Sequence, residues 1–247
     1  MINEVSLFKP MTTPIEFIYQ FFKKNPLITT DSRSVQKGSI FFALKGERFN
    51  GNKFAIEALK QGCIAAIVDD PSIKDERCYY VEDVLRTLQG LASMHRIVLG
   101  VRVLAVTGTN GKTTTKELIN AVLSQKYKVY ATKGNLNNHI GVPLTLLSLT
   151  KEIDIAVVEM GANHPGEISL LASIAEPDYG IITNIGKAHL EGFGSFEGVK
   201  NTKGELYQNI AEKNGCVFYN PENAILEELI NKNSLADQAI PYGYGLE

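Results

Sequence analysis

The chain has 247 residues, 44% of them apolar, with 25 lysines and arginines against 27 aspartates and glutamates, a formal net charge of −2. That length and apolar fraction exclude a disordered chain and suffice for two compact domains, each with its own core. Basic residues form no run or stripe, which excludes a nucleic-acid backbone as the expected partner, and Cys63, Cys78 and Cys216 are too few and scattered for a disulfide framework or a zinc knuckle.

The three cysteines are therefore expected to be reduced thiols in a cytoplasmic protein. The opening segment, MINEVSLFKPMTTPIEFIYQFFKKN, lacks the positive start and unbroken apolar stretch of a secretory leader. Nothing later reaches the ~18 apolar residues a membrane span requires. From Ser39 to Val84, short apolar strands (SIFFAL, IAAIVDD, CYYVEDV) alternate with a helical stretch, NKFAIEALKQG, and predict a small α/β domain. Over residues 83–97, Val84, Leu88, Leu91 and Met94 fall at helical spacing, so a helix is expected to lead out of it. The predicted boundaries are 1–98 for this N-terminal domain and 99–247 for a central domain.

From Val101 the alternation is more regular. VRVLAVT, KVYAT, DIAVVEM, YGIITNI and CVFYN read as strands, separated by helical stretches such as TTTKELINAVLSQ, GEISLLASIA and GVKNTKGELYQNIAEK. Near-continuous apolar strands between helices predict a mostly parallel sheet with helices on both faces. The unusual polar residues cluster just after these strands, at Thr107 to Thr113, Thr132 to Asn138, Glu159 to His164, Asn184 to His189 and Asn220 to Asn223. Ligands of an open parallel sheet bind beyond the carboxyl ends of its strands, so these five clusters describe one site.

The first cluster lies in VTGTNGKTTTKE, Val106 to Glu117. The common phosphate loop, G-x-x-x-x-G-K-[ST], would place its first glycine at position 106, where this chain has valine. Gly108 comes two residues late. With Gly111 it still permits a tight turn, and Lys112 and Thr113 open the next helix, whose N–H groups and dipole favour an anion. Lys112 can reach terminal phosphates, and the Thr113 hydroxyl can hold a bridging magnesium ion. A plain strand-to-helix turn is the bland alternative. Glu159 ends a strand expected to be buried, where a carboxylate is costly unless paired or holding a metal, and beside a phosphate loop it is a candidate ligand for Mg2+. Taken alone, His189 reads as structural and Lys203 as a solvated helix lysine.

These residues together resemble the Mur ligases, a family of ATP-dependent amide-forming enzymes that build the peptidoglycan stem peptide. TGTNGKTTT is similar to that family's own shortened phosphate loop, which related folate polyglutamate ligases and cyanophycin synthetases also have. TKGNLNNHIGVPLTLLSL at 132–149, VVEMGANHPGEISLLASIAEPDYGIITNIGKAHLEGFGS at 157–195 and KGELY at 203–207 resemble the members that add D-alanyl-D-alanine to UDP-N-acetylmuramoyl-tripeptide. Members that add the third amino acid would be expected to have a serine-rich segment in place of EMGANHPGEI. TTDSRSVQKGSIFFALKGERFNGNKF at 29–54 is similar to the UDP-sugar segment common to both.

The resemblance implies ATP phosphates held by Lys112 and the loop Gly108, Thr109, Asn110, Gly111, Thr113 and Thr114, with Asn220 and Asn223 near the adenine. It implies magnesium on Thr113 and Glu159, and a second ion bound with help from His189 and from a carbamate formed on Lys203 by CO2. Asn137 and Asn138 would line the phosphate and acceptor region, while Ser32, Arg33, Glu47, Arg48 and Phe49 would face the UDP-sugar. A cytoplasmic monomer with small-molecule substrates is expected. The family has a third domain beyond residue 247, and Leu246 and Glu247 follow YGYG abruptly, like a cloning scar. The chain alone is accordingly expected to bind nucleotide without ligating. The alternatives from other classes are a non-catalytic UDP-sugar module and a plain phosphate-loop NTPase.

Overall fold

The computed structural model describes residues 12–187 and 190–243, so His189 and the Leu246–Glu247 end lie outside the described residues. The chain divides into two compact units after Leu91. In the first, α1 (Ile15–Lys24) buries Ile18, Tyr19 and Phe22, one stripe at helical spacing, and carries Lys23 and Lys24 in the last turn, where the dipole favours cations. β1 (Ile28–Thr29), β2 (Ile40–Phe42), β5 (Ala65–Val68) and β6 (Cys78–Tyr80) form a parallel sheet in the order β1-β2-β5-β6. Between β2 and β5 lie a short hairpin, β3 (Lys45–Gly46) with β4 (Phe49–Asn50), and helix α2 (Ala55–Gln61). Ala55, Ala58 and Leu59 of α2 pack on Phe41, Ala66 and Val68, a core of small and branched side chains that lets the helix sit close to the sheet.

The division falls inside α3 (Val84–Leu99), the exit helix expected from the spacing of Val84, Leu88 and Leu91. In the second unit follow β7 (Arg102–Thr107), α4 (Lys112–Leu123), β8 (Val129–Ala131), α5 (Gly141–Leu147), β9 (Ile155–Glu159), α6 (Glu167–Ala175) and β10 (Tyr179–Ile182). After them come α7 (Leu190–Phe193), α8 (Phe196–Glu212), β11 (Cys216–Tyr219), α9 (Ala224–Lys232) and β12 (Ala239–Pro241). All the strand stretches read from the sequence form, trimmed at their ends. The helices α1, α5 and α9, the hairpin, β1 and β12 are additions that the apolar patterns had not indicated.

The sheet of this unit runs β12-β11-β10-β7-β9-β8, and every pairing is parallel. Its connections decide where a ligand can sit. The step from β7 to β8 travels one way across the sheet and every later step travels the other way. Right-handed crossovers therefore put α4 on one face and α5, α6, α8 and α9 on the opposite one. Ile119 and Leu123 of α4 cover Leu104, Val106 and Val157, while the alternate residues Val103, Ala105, Ala156 and Val158 are fully buried from the other side. The helix leaving β7 thus departs on the face opposite to those leaving its neighbours β9 and β10. A crevice opens at the carboxyl end of β7, beside Thr107 and Glu159.

At the other end of this unit His95 is 7% exposed, with Nε2 at 2.9 Å from the Leu149 carbonyl oxygen. Burial lowers its pKa below the ordinary value, with the Leu149 carbonyl opposing. The unfolded chain takes up a proton near pH 6.5 and the folded one only at lower pH, so stability present above pH ~6.5 is lost as pH falls through the folded value. Denaturant midpoints measured from pH 7.5 to 5 should show this fall in the wild type and a shallower one in His95→Gln. Identical slopes would remove His95 from the acid sensitivity.

Among the described residues no helix is long and apolar enough to cross a membrane. Cys63 is buried, Cys78 and Cys216 are half-buried, and all three are free thiols.

Candidate active site

Thr107, fully buried at the end of β7, donates its hydroxyl proton to the Met160 carbonyl at 2.8 Å and so ties the start of the loop to the end of β9. The chain then turns through Gly108 at φ 144° and Gly111 at φ 75°, both in the region that favours glycine. The tip of the loop is clamped by the segment after β10. The Thr183 hydroxyl and the Asn184 amide both donate to the Asn110 carbonyl, at 2.7 and 3.0 Å. In return the Asn110 N–H donates to Asn184 Oδ1 at 3.1 Å and the Thr109 N–H to the Asn184 carbonyl at 3.0 Å. The Thr109 and Asn110 amides are thereby engaged within the protein. Those of Lys112, Thr113 and Thr114 open α4, where a helix has no acceptors of its own.

Lys112 folds back over this loop, its ammonium donating to the Gly108 and Thr109 carbonyls at 2.9 and 3.2 Å. Burial lowers its pKa, with Glu159 opposing. Glu159 is 2% exposed at the end of β9, and neutral donors hold its carboxylate: the Thr113 hydroxyl at 3.0 Å to Oε2 and the Asn137 amide at 2.8 Å to Oε1. A hydroxyl and a carboxylate in contact form an oxygen donor pair suited to a hard divalent cation. Among the described residues no group of three or more His, Cys, Asp or Glu side chains could hold a metal, so such an ion would need phosphate and water oxygens as well.

The cavity beside the loop has a volume of about 390 Å3, and Lys112, Asn137, Asn138, Phe193 and Lys203 are among its walls. Lys203, in the middle of α8, is 3% exposed, lies 5.5 Å from the Phe193 ring centre and sits 3.5 Å from the Ala162 carbonyl oxygen. Burial and then the charge of Lys112 push its pKa down to about 8, against the opposing pull of Glu167 and Glu205. It is not the solvated helix lysine that the sequence alone suggests. Two carboxylates fix the segment it faces. Glu167 accepts the Asn163 and His164 N–H groups at 2.6 and 3.0 Å, and Glu205 accepts those of Gly166 and Ser169, both at 2.8 Å.

Asn138 Oδ1 accepts the Ile140 and Gly141 N–H groups at 3.1 and 2.9 Å, which shapes the entry to α5. Beyond β11, Asn220 Oδ1 accepts the Glu222 N–H at 2.9 Å, and Asn223 caps α9 by accepting from Ile225 and Leu226. Those side-chain oxygens serve the backbone at the starts of their helices and turns. In the first unit, Arg33 forms a two-pronged pair with Asp31 at 2.9 and 2.7 Å and is otherwise solvated, beside half-buried Ser32. Glu47, Arg48 and Phe49 are exposed on the hairpin, and Phe49 stacks on Phe54 with ring centres 6.5 Å apart. Asn184 heads one of the strand-end clusters, Glu205 stands in KGELY and the buried Lys116 in VTGTNGKTTTKE, yet sequence reading assigns none of the three a role.

Two family models match the chain: Mur ligase middle domain over residues 106–247, and Mur ligase family, catalytic domain, over residues 26–130. The UDP-N-acetylmuramoyl-tripeptide--D-alanyl-D-alanine ligase of Bacillus subtilis (strain 168) is 42% identical over 222 residues, 88% of this chain and 47% of the relative. Among solved structures, MurF from Acinetobacter baumannii is similar with a TM-score of 0.81 at 39% identity, covering 88% of this chain and 48% of that one. The MurF ligase from Thermotoga maritima in complex with ADP has a TM-score of 0.78 at 35% identity, covering 85% and 49%. The chain spans about half the length of the curated relatives it matches.

Proposed function

The chain belongs to the Mur ligase family, and on that footing we propose that it holds the ATP and UDP-sugar sites of a ligase that joins D-alanyl-D-alanine to UDP-N-acetylmuramoyl-tripeptide. The observation that carries this reading is that Lys112 and buried Lys203 share the walls of one cavity at the carboxyl end of β7, and that the Thr113–Glu159 pair is joined to the same wall through Asn137. Relatives 42% and 45% identical bear the name of that ligase. Residues 99–247 would bind ATP and residues 1–98 the UDP-sugar, in a cytoplasmic monomer.

In this reading the terminal carboxylate of the tripeptide attacks the γ-phosphorus of ATP, releasing ADP and leaving an acyl phosphate. The amine of D-alanyl-D-alanine then adds to the acyl carbon, loses a proton and expels phosphate, so an amide forms. A free carboxylate is a poor acyl donor at neutral pH, and phosphorylation removes that obstacle. The amides of Gly111 to Thr114 orient the phosphate chain at the positive end of α4. The Lys112 ammonium exchanges its loop carbonyls for phosphoryl oxygens and offsets the charge that gathers there during transfer. Thr109 and Asn110 keep that cradle in shape through their bonds to Thr183 and Asn184, and Gly108 lets the backbone pass close to Thr183. Thr113 and Glu159 would hold magnesium, which supplies further positive charge against the phosphates. Lys203, as a carbamate, would become an anionic oxygen ligand for a second ion, together with His189; an ammonium has no lone pair for that purpose. Asn137 and Asn138 would meet the acceptor. Asn220 and Asn223 would lie by the adenine, and Ser32, Arg33 and the Glu47–Phe49 segment by the UDP-sugar.

This chain alone should bind nucleotide without ligating, so the test is ligation by a longer reading frame that contains it, with ATP, UDP-N-acetylmuramoyl-tripeptide and radiolabelled D-alanyl-D-alanine. One ADP should appear for each labelled pentapeptide. Incorporation of a labelled third amino acid into UDP-N-acetylmuramoyl-dipeptide instead would move the chain to the preceding step.

A further inference from the structure

Lys116 lies one helical turn beyond Lys112 on α4, and its side chain is 1% exposed. Its ammonium donates to the Thr132 carbonyl at 2.7 Å and lies 3.0 Å from Glu117 Oε1. From Glu159 Oε2 it stands 3.8 Å away, close enough to balance the charge and too far for a hydrogen bond. The Thr132 hydroxyl in turn accepts the Glu159 N–H at 3.0 Å, so Lys116 and Glu159 are braced on the same residue.

A buried carboxylate needs a counter-charge. Here the charge stands 3.8 Å from Oε2, the oxygen that Thr113 also reaches, while the two groups that hydrogen-bond the carboxylate, Thr113 and Asn137, are neutral and can turn aside. Glu159 is therefore compensated by an ion pair that takes up none of its hydrogen-bonding positions. An entering cation meets an available oxygen and, 3.8 Å from it, a buried ammonium that repels it, an effect that the exposed and solvent-screened Glu117 carboxylate offsets only in part.

We infer that Lys116 is a positioning residue that keeps Glu159 presented toward Thr113 and weakens divalent-cation binding there, so that the ion is retained only when nucleotide phosphates share it. The inference builds on the reading of Glu159 as a metal ligand. At an effective protein dielectric of ~20, a unit charge this close to a bound divalent ion changes its affinity by at least about tenfold.

The experiment is titration of the chain with Mn2+ alone, and with Mn2+ plus ADP, followed by electron paramagnetic resonance of the free ion. Without nucleotide, Lys116→Met and Lys116→Gln should bind Mn2+ at least about tenfold more tightly than wild type. Lys116→Arg, which keeps the charge, should match wild type; a merely structural lysine would not yield a gain of metal affinity. Lys116→Gln retains a donor for the Thr132 carbonyl and decides the matter if the methionine variant does not fold. Neutral variants that fold, by circular dichroism, yet bind Mn2+ no more tightly than wild type would overturn the role of Lys116. Glu159→Gln separates the two layers. Loss of ADP-dependent Mn2+ binding in that variant upholds the metal ligand whatever Lys116 does, whereas unchanged Mn2+ binding with and without ADP removes both.

Discussion

Lys112→Ala should weaken binding of ADP and ATP by at least about a hundredfold while leaving AMP binding and the thermal midpoint nearly unchanged. Charge-assisted hydrogen bonds to phosphate contribute about 1.5–3 kcal/mol each, and the ammonium has donors for two oxygens. A loss of about 3 kcal/mol corresponds to roughly a hundredfold in affinity. The fold loses little, because the ammonium's bonds within the protein go to the carbonyls of buried Gly108 and half-buried Thr109, both in the cavity wall, where water can take its place. Burial also disfavours its charge, so removing it relieves a cost. AMP serves as the control, since it lacks the terminal phosphates that Lys112 would reach. Calorimetry showing unchanged ADP affinity would remove the lysine from the site.

A second large effect is expected at Gly108. Its φ of 144° is one that L side chains rarely adopt, and a Cβ there would run into the Thr183 hydroxyl, the group that donates to the Asn110 carbonyl. Gly108→Ala should cost about 3 kcal/mol of stability through backbone strain together with the broken clamp, and should also reduce ADP affinity. Gly111 supplies the contrast. Its φ is 75°, but a Cβ would meet nothing within 4 Å, so Gly111→Ala should cost only about 1 kcal/mol. Denaturant unfolding of both variants reads the difference directly. Equal costs would mean that the close approach to Thr183 contributes nothing.

The contrast shows which parts of the site could be read from the sequence. Gly108, Gly111, Lys112 and Thr113 sit in one local motif between a buried strand and a helix, so their spacing already implied an anion cradle. Glu159 was legible for a different reason, as a carboxylate ending an apolar strand that a parallel sheet had to bury. The gathering of polar residues at the strand ends also followed from the alternation of strands and helices. Lys116 was not legible. In KTTTKE it looks like any helix lysine beside a glutamate, and only the crossing of α4 over β8 and β9 buries it against Thr132 and Glu159. Asn184 and Glu205 act on backbone groups 74 and 39 residues away, across distances that no local pattern encodes. α5 was hidden because GVPLTLL combines a glycine, a proline and β-branched or apolar residues without a polar face, and it is buried nearly all round. α1 was hidden because Ile15, Phe17 and Phe21 add apolar side chains outside the buried stripe of Ile18, Tyr19 and Phe22.

The most direct measurement is a crystal structure of the chain with a non-hydrolysable ATP analogue and magnesium. The β- and γ-phosphates should accept hydrogen bonds from the amides of Gly111 to Thr114 and from Lys112, with the metal ion on Thr113 and Glu159. Phosphates bound elsewhere, with the Lys112 ammonium still on the Gly108 and Thr109 carbonyls, would contradict the assignment of this cavity as the site of ATP-driven ligation.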